Sequence, residues 1–223
     1  FVLNVPLTVF WIVGLTNAMN FFDGLDGLAA GLSMIIAAFF GVAAFLSDQA
    51  AMGWFSVAIV GACLGFLPYN FRFHRSAKIF LGDAGSTFLG FTLAGLAILG
   101  RWSTVSPFVS ISVPILILGI LIFDISYVTL SRIRNRRGTG LLQAVSKPGH
   151  DHLHHRLLRM GFVPKETVLI ILTLSTCFGV SALIIMDQNF IRALLGLSQA
   201  LLVLGVFVVL MLKGRENEGP IQR

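Results

Sequence analysis

Long apolar runs separated by short polar stretches organise this chain. Seven runs, at 3–18, 28–47, 53–70, 85–100, 108–130, 167–187 and 190–212, approach or exceed the roughly 18 apolar residues that mark a bilayer span. Inside hydrocarbon no water meets the backbone, so each run must form a helix or join a closed barrel. The runs are too long and too uniform for barrel strands, which alternate over about ten residues. The pattern predicts an all-α fold, a polytopic transmembrane helical bundle. It forms a single integral membrane domain over 1–212, with polar loops at 17–27, 70–84 and 131–166 and a tail at 213–223.

Composition agrees. Of 223 residues, 56% are hydrophobic and only 12% charged, and mean hydropathy is +0.89. A water-soluble domain of that balance would expose apolar patches and aggregate. The chain opens at Phe1 inside an apolar run, without an initiator Met or a signal-peptide pattern, which points to a fragment lacking an N-terminal part. Cys63 and Cys177 fall within the runs and predict neither a disulfide framework nor a zinc site.

Charge sets the orientation. The sixteen Lys and Arg cluster at 72–78, at 132–165 and in the tail, and Arg101 and Arg192 alone fall on the other side. The positive-inside rule puts 70–84, 131–166 and the tail in the cytoplasm, and alternation puts 17–27 there too. The external connections at 48–53, 101–107 and 187–190 are short. Topology and contact with anionic lipid would explain the sign of the basic loops. Neither explains their histidines and aspartates.

Three polar motifs mark that side. In NAMNFFDGLDGLAAG (17–31), Asn17, Asn20, Asp23 and Asp26 recur every third residue, a spacing that brings side chains together on a helix or tight turn. A plain turn would explain one Asp-Gly pair. It explains less well two such pairs and two asparagines at the edge of apolar helices, where polar groups are costly unless used. In KIFLGDAGSTFLGF (78–91), Asp83 stands between Gly82 and Gly85 at the start of a span. Free N–H groups at a helix N-terminus form an anion cradle. An aspartate in that cradle suits a divalent cation bridging protein and phosphate. Helix capping by Ser86 or Asp83 is the plainer alternative. The stretch is not a Walker loop.

In PGHDHLHHRLLRMGF (148–162), helical spacing puts His152, His155, Arg156 and Arg159 on one face and Leu153, Leu157 and Met160 on another. That predicts an amphipathic helix able to rest on the bilayer. A His/Arg face suits phosphate oxygens. A histidine metal cluster and a merely solvated basic face are the alternatives, and no HExxH protease motif occurs. Asp124, inside a span, reads equally well as a functional carboxylate and as a buried partner of a nearby basic residue.

NAMNFFDGLDGLAAG, FLGDAGS and HDHLHHRLL, in that order and at one membrane edge, resemble the polyprenyl-phosphate N-acetylhexosamine-1-phosphate transferases. The resemblance covers essentially the whole chain. It implies transfer of a sugar-1-phosphate from a UDP-sugar to a polyprenyl phosphate, with release of UMP. It implies Mg²⁺, with Mn²⁺ as a substitute, and Asp83 as the metal ligand. Asp23, Asp26 and Asp83 are the implied catalytic carboxylates. Asn17, Asn20, Phe80, His152, His154, His155 and Arg156 are the implied substrate-binding residues, with Phe80 stacking on the uracil. Leu153 interrupts the histidine run, giving HxHHR. That is similar to the bacterial branch that uses UDP-GlcNAc and undecaprenyl phosphate to start O-antigen, enterobacterial common antigen or teichoic acid. The branch that uses UDP-MurNAc-pentapeptide carries adjacent histidines.

The implied place is the bacterial inner membrane, with the site facing the cytoplasm and no nucleic acid involved. A homodimer stays open. The family also carries an upstream Asp-Asp pair, and none occurs here. Seven spans against the family's roughly eleven imply a missing upstream part and a chain inactive by itself. An ion-coupled carrier, whose site would lie near the midplane, and an envelope scaffold are the competing classes.

Overall fold

The computed structural model describes residues 3–72, 75–103, 106–134, 151–186 and 190–216. The described residues form nine α-helices: α1 (Asn4–Phe21), α2 (Leu28–Leu46), α3 (Ala50–Asn70), α4 (Gly82–Leu99), α5 (Pro107–Ile117), α6 (Gly119–Arg134), α7 (Leu153–Arg159), α8 (Pro164–Met186) and α9 (Phe190–Glu216). A short 3-10 turn, Phe22–Gly24, follows α1. Arg136, Arg137 and Lys147 of the basic loop, and tail residues 217–223, lie outside the described residues.

Among the described residues, six helices are long and apolar enough to cross a membrane, and the pair α5–α6 makes a seventh span if counted as one. That pair is the main departure from the sequence pattern, which predicts one straight run at 108–130. The two helices meet at a 78° bend. Pro114 lacks an N–H and weakens the ladder one turn before the break. Leu118 then leaves helical geometry at φ −89°, ψ 9°. Gly119 lets the bend approach α8, for a Cβ there would lie 3.1 Å from the Phe178 ring.

Packing follows side-chain size. With no hydrophobic force between helices in lipid, close approach depends on small residues. α2 is rich in them and sits at the centre. Gly31 faces Leu172 of α8, and Gly41 faces Ser56 of α3, each at just over 3 Å from a Cβ position. Phe123 of α6 stacks on Phe178 of α8 and packs tilted against Phe207 of α9. The outer surface is apolar: Phe10, Trp54, Phe88 and Leu202 are all more than 60% exposed. Such a surface would be an aggregation hazard in water and is ordinary against lipid chains.

All three motifs gather at one end of the bundle, where Asn20 bonds Asp83 and Phe21 packs on His152. The opposite end is tied by Gln49, which donates to the Arg101 carbonyl and accepts from its N–H, both at 2.8 Å.

Candidate functional site

The site is built where α1 meets α4. Gly90 allows that crossing, since a Cβ there would lie 2.9 Å from the Thr16 backbone. Trp11 Nε1 donates to the Ala94 carbonyl and fixes the register. One result is that Asn20, on the last turn of α1, reaches the first two turns of α4. Its amide donates to Asp83 Oδ1 at 3.1 Å and to Ser86 Oγ at 2.9 Å. The Ser86 hydroxyl in turn donates to the carbonyls of Gly82 and Asp83.

Capping does not account for these groups. α4 starts at Gly82, with Leu81 in the cap position and no side-chain cap bond. Asp83 is exposed in the first turn, where the helix dipole favours a negative charge. Gly82 has φ +68°, a left-handed conformation that suits glycine. Its N–H lies near enough to the carboxylate of Asp23, in the 3-10 turn, to favour the charged form of that group. Asp23 and Asp83 are close enough to repel each other.

Three further bonds hold the turn and the chain beside it. Asp26 Oδ2 accepts from the Ala77 N–H at 3.1 Å. Asn70, buried at the end of α3, accepts from the Gly27 N–H at 2.7 Å and donates to the Ile79 carbonyl at 2.9 Å. Gly27 has φ +81°, and a Cβ there would lie 2.5 Å from the Phe71 ring. The end of α3 and residues 75–81 are thus stitched to the α1–α2 turn, leaving Phe80 exposed beside Asp83 in sequence. Asn17 is exposed and makes no side-chain hydrogen bond among the described residues.

The histidine motif differs from its predicted form. α7 begins at Leu153, spans seven residues, and is packed inward rather than lying on a surface. His154 and Arg156 are buried along with Leu153 and Leu157, so the expected division into a basic face and an apolar face fails. The reason is that the basic groups find internal partners. Arg156 donates to the Met211 carbonyl of α9 and to the Asp151 carbonyl, both at 2.6 Å, and lies over the Tyr127 ring. Arg132 makes a two-pronged ion pair with Asp151. Burial alone would raise the Asp151 carboxyl, but hydrogen bonding and charge from Arg132 outweigh it and hold it below the ordinary range.

The same motif touches the first one. The His152 ring packs 4.6 Å from Phe21, and His154 packs 6.0 Å from Phe22. Gly24 makes room for His154, whose Nε2 would lie 2.9 Å from a Cβ there. His155, half-buried, packs tilted against the His154 ring at 4.1 Å. Asp124 is buried and takes His152 Nδ1 at 2.7 Å and the Leu153 N–H at 2.8 Å. Of the two sequence readings of Asp124, the geometry supplies the buried partner, and it comes from the histidine motif. Asn70 and Asp151 escaped the sequence analysis. Asn70 had a signal, a lone amide at the end of an apolar run.

The oxygen-rich junction of α1 and α4 fits a hard cation better than a soft one. A divalent cation would relieve the repulsion between Asp23 and Asp83. Among the described residues no group of three or more His, Cys, Asp or Glu could hold a metal by itself. Further ligands would be substrate phosphate and water, the usual habit of Mg²⁺.

Residues 1–101 match the model of Glycosyl transferase family 4. The chain is 43% identical over 180 residues, 81% of its length, to a "Probable undecaprenyl-phosphate N-acetylglucosaminyl 1-phosphate transferase" of Bacillus subtilis, covering 48% of that protein. It is 33% identical over 96% of its length to a "Decaprenyl-phosphate N-acetylglucosaminephosphotransferase" of Mycolicibacterium smegmatis, covering 55% of that protein. A "Phospho-N-acetylmuramoyl-pentapeptide-transferase" of Listeria monocytogenes is 50% identical over 44% of the chain and 33% of its own length. The chain spans about half the length of the curated relatives it matches most extensively. These matches and the convergence of three motifs at one end of a helical bundle agree: the chain belongs to Glycosyl transferase family 4.

Proposed function

We propose that the intact protein transfers GlcNAc-1-phosphate from UDP-GlcNAc to undecaprenyl phosphate, releasing UMP and starting a cell-envelope glycopolymer. The observation that carries this reading is the meeting of Asn20, Asp23, Asp83 and Ser86 at one end of an apolar bundle. A lipid-tethered acceptor keeps its phosphate at the membrane edge, so a polar donor must come down to it. Carboxylates and amides at that depth have a use there. The reading places the site on the cytoplasmic face of the bacterial inner membrane, following the basic loops.

Asn20, itself bonded to Ser86, orients Asp83, and Asp23 lies close enough to feel its charge. Bound Mg²⁺ would be held by Asp83, with Asp23 adjacent, and would offset the negative charge of the two phosphate-bearing substrates. The N-terminal end of α4 adds its own positive dipole. Phe80 is free to stack on a uracil ring, and His155 is open enough to meet the sugar-nucleotide. Such a site works by positioning and charge stabilisation.

UDP-MurNAc-pentapeptide is the second donor to weigh, because the Listeria relative has the higher identity over a shorter match. The relatives matched over most of the chain carry GlcNAc in their names, and Leu153 breaks the histidine run. A competition assay with the two donors tests the choice. Lipid labelling from UDP-GlcNAc that excess UDP-MurNAc-pentapeptide leaves unchanged is the expected result. Labelling from the pentapeptide donor alone would overturn it.

A further inference from the structure

We infer that Asp124 is a positioning residue that sets the proton and the orientation of His152 at the substrate site. The inference rests on the transferase reading above, and it concerns a residue that reading does not use. Both oxygens of Asp124 are committed to the histidine motif. Oδ1 accepts from the Leu153 N–H at 2.8 Å, and Oδ2 meets His152 Nδ1 at 2.7 Å. Asp124 is 1% exposed and His152 is 3% exposed, so no solvent competes for either contact.

A carboxylate only accepts hydrogen bonds, so the proton on this contact belongs to Nδ1. In a neutral ring that leaves Nε2 as a bare acceptor. Nε2 is buried and has no hydrogen-bond partner among the described residues. A buried polar atom left unpaired needs an explanation. The ring packs against Phe21, one residue after the Asn20 that orients Asp83, so the open nitrogen belongs to the same end of the bundle as the α1–α4 site. A hydroxyl or amide of the sugar-nucleotide supplies the missing donor.

The clamp is also geometric. Asp124 sits in α6, past the 78° bend, and its bond to the Leu153 N–H fixes the first residue of α7. A carboxylate behind a histidine fixes both tautomer and orientation, and behind metal-bound histidines its loss typically costs about 10–100-fold, the scale expected here.

Asp124→Asn separates positioning from packing. The amide has the same shape and still accepts from the Leu153 N–H, but it donates to Nδ1 and moves the ring proton to Nε2. We expect the intact variant to fold, shown by an unchanged unfolding temperature, and to lose about 10–100-fold in transfer, with KM for the sugar-nucleotide rising more than KM for the lipid. Asp124→Asn in a His152→Ala background should cost nothing further. Nitrogen-15 NMR of labelled histidine should show the His152 proton shift from Nδ1 to Nε2. Full activity in Asp124→Asn, additive losses in the double variant, or an unchanged His152 signal would each overturn the inference. Absence of transfer in the wild-type protein would instead overturn the transferase reading, and the NMR result would still decide the role of Asp124.

Discussion

The Asn20 amide holds the Asp83 carboxylate at 3.1 Å across 63 residues of sequence. This bond joins the two motifs and makes Asp83 one part of a shared site. Asp83→Asn keeps the size and removes the charge. Label transfer to lipid should fall by at least about 100-fold, the scale of losing one charge-stabilising group. Asn20→Ala leaves the charge but not its orientation, and a loss of about 10-fold is expected. Initial rates in membranes measure both, and a normal rate in Asp83→Asn would contradict the arrangement.

Gly27 is held by conformation and by space. Its φ is +81° and Phe71 occupies the position of a Cβ. Gly27→Ala should cost about 1–2 kcal/mol for the left-handed backbone, with about 1–3 kcal/mol more for displacing Phe71. The unfolding temperature in detergent should drop, and the Asn70 bond to the Gly27 N–H should weaken with it.

Arg156 is expected to act on stability before affinity. Its guanidinium serves the Met211 and Asp151 carbonyls in a buried setting. Arg156→Ala leaves both without that donor, a loss of about 3 kcal/mol or more. Arg156→Lys should restore part of it, since an ammonium cannot reproduce the planar fork. Limited proteolysis near residues 151–160 reports release of α7.

Asp151 sets a pH dependence with a definite sign. Its carboxyl lies below the ordinary range in the folded protein because Arg132 outweighs the cost of burial. A depressed folded value contributes stability that is full above the unfolded value and is lost as pH falls through the folded one. Stability should therefore decline as pH drops below the ordinary aspartate range. Asp151→Asn should lower stability at neutral pH and flatten that decline. Unfolding temperature measured from pH 7 downward checks both.

Much of the fold was legible because lipid imposes a coarse rule. The seven apolar runs correspond to six helices and one bent pair, since spanning length depends only on composition. The bend was not legible as an angle, although Pro114 and Gly119 were in view. The candidate site was legible where polar residues stand against an apolar background, as in Asn20, Asp23 and Asp83. The interior of the histidine motif was not. Helical spacing assigns Arg156 to a polar His/Arg face. Its actual partners, Met211 and the Asp151 backbone, come from another helix and from a carbonyl that no side-chain pattern records. Likewise nothing in spacing links Asp124 to His152, 28 residues on.

The most direct test of the central claim is lipid labelling by the intact protein in membranes. The sample receives radiolabelled UDP-GlcNAc, undecaprenyl phosphate and Mg²⁺, with EDTA and Asp83→Asn as controls. The account predicts label in the lipid phase with release of UMP, stopped by either control. A folded protein that transfers no label from any UDP-sugar would contradict it.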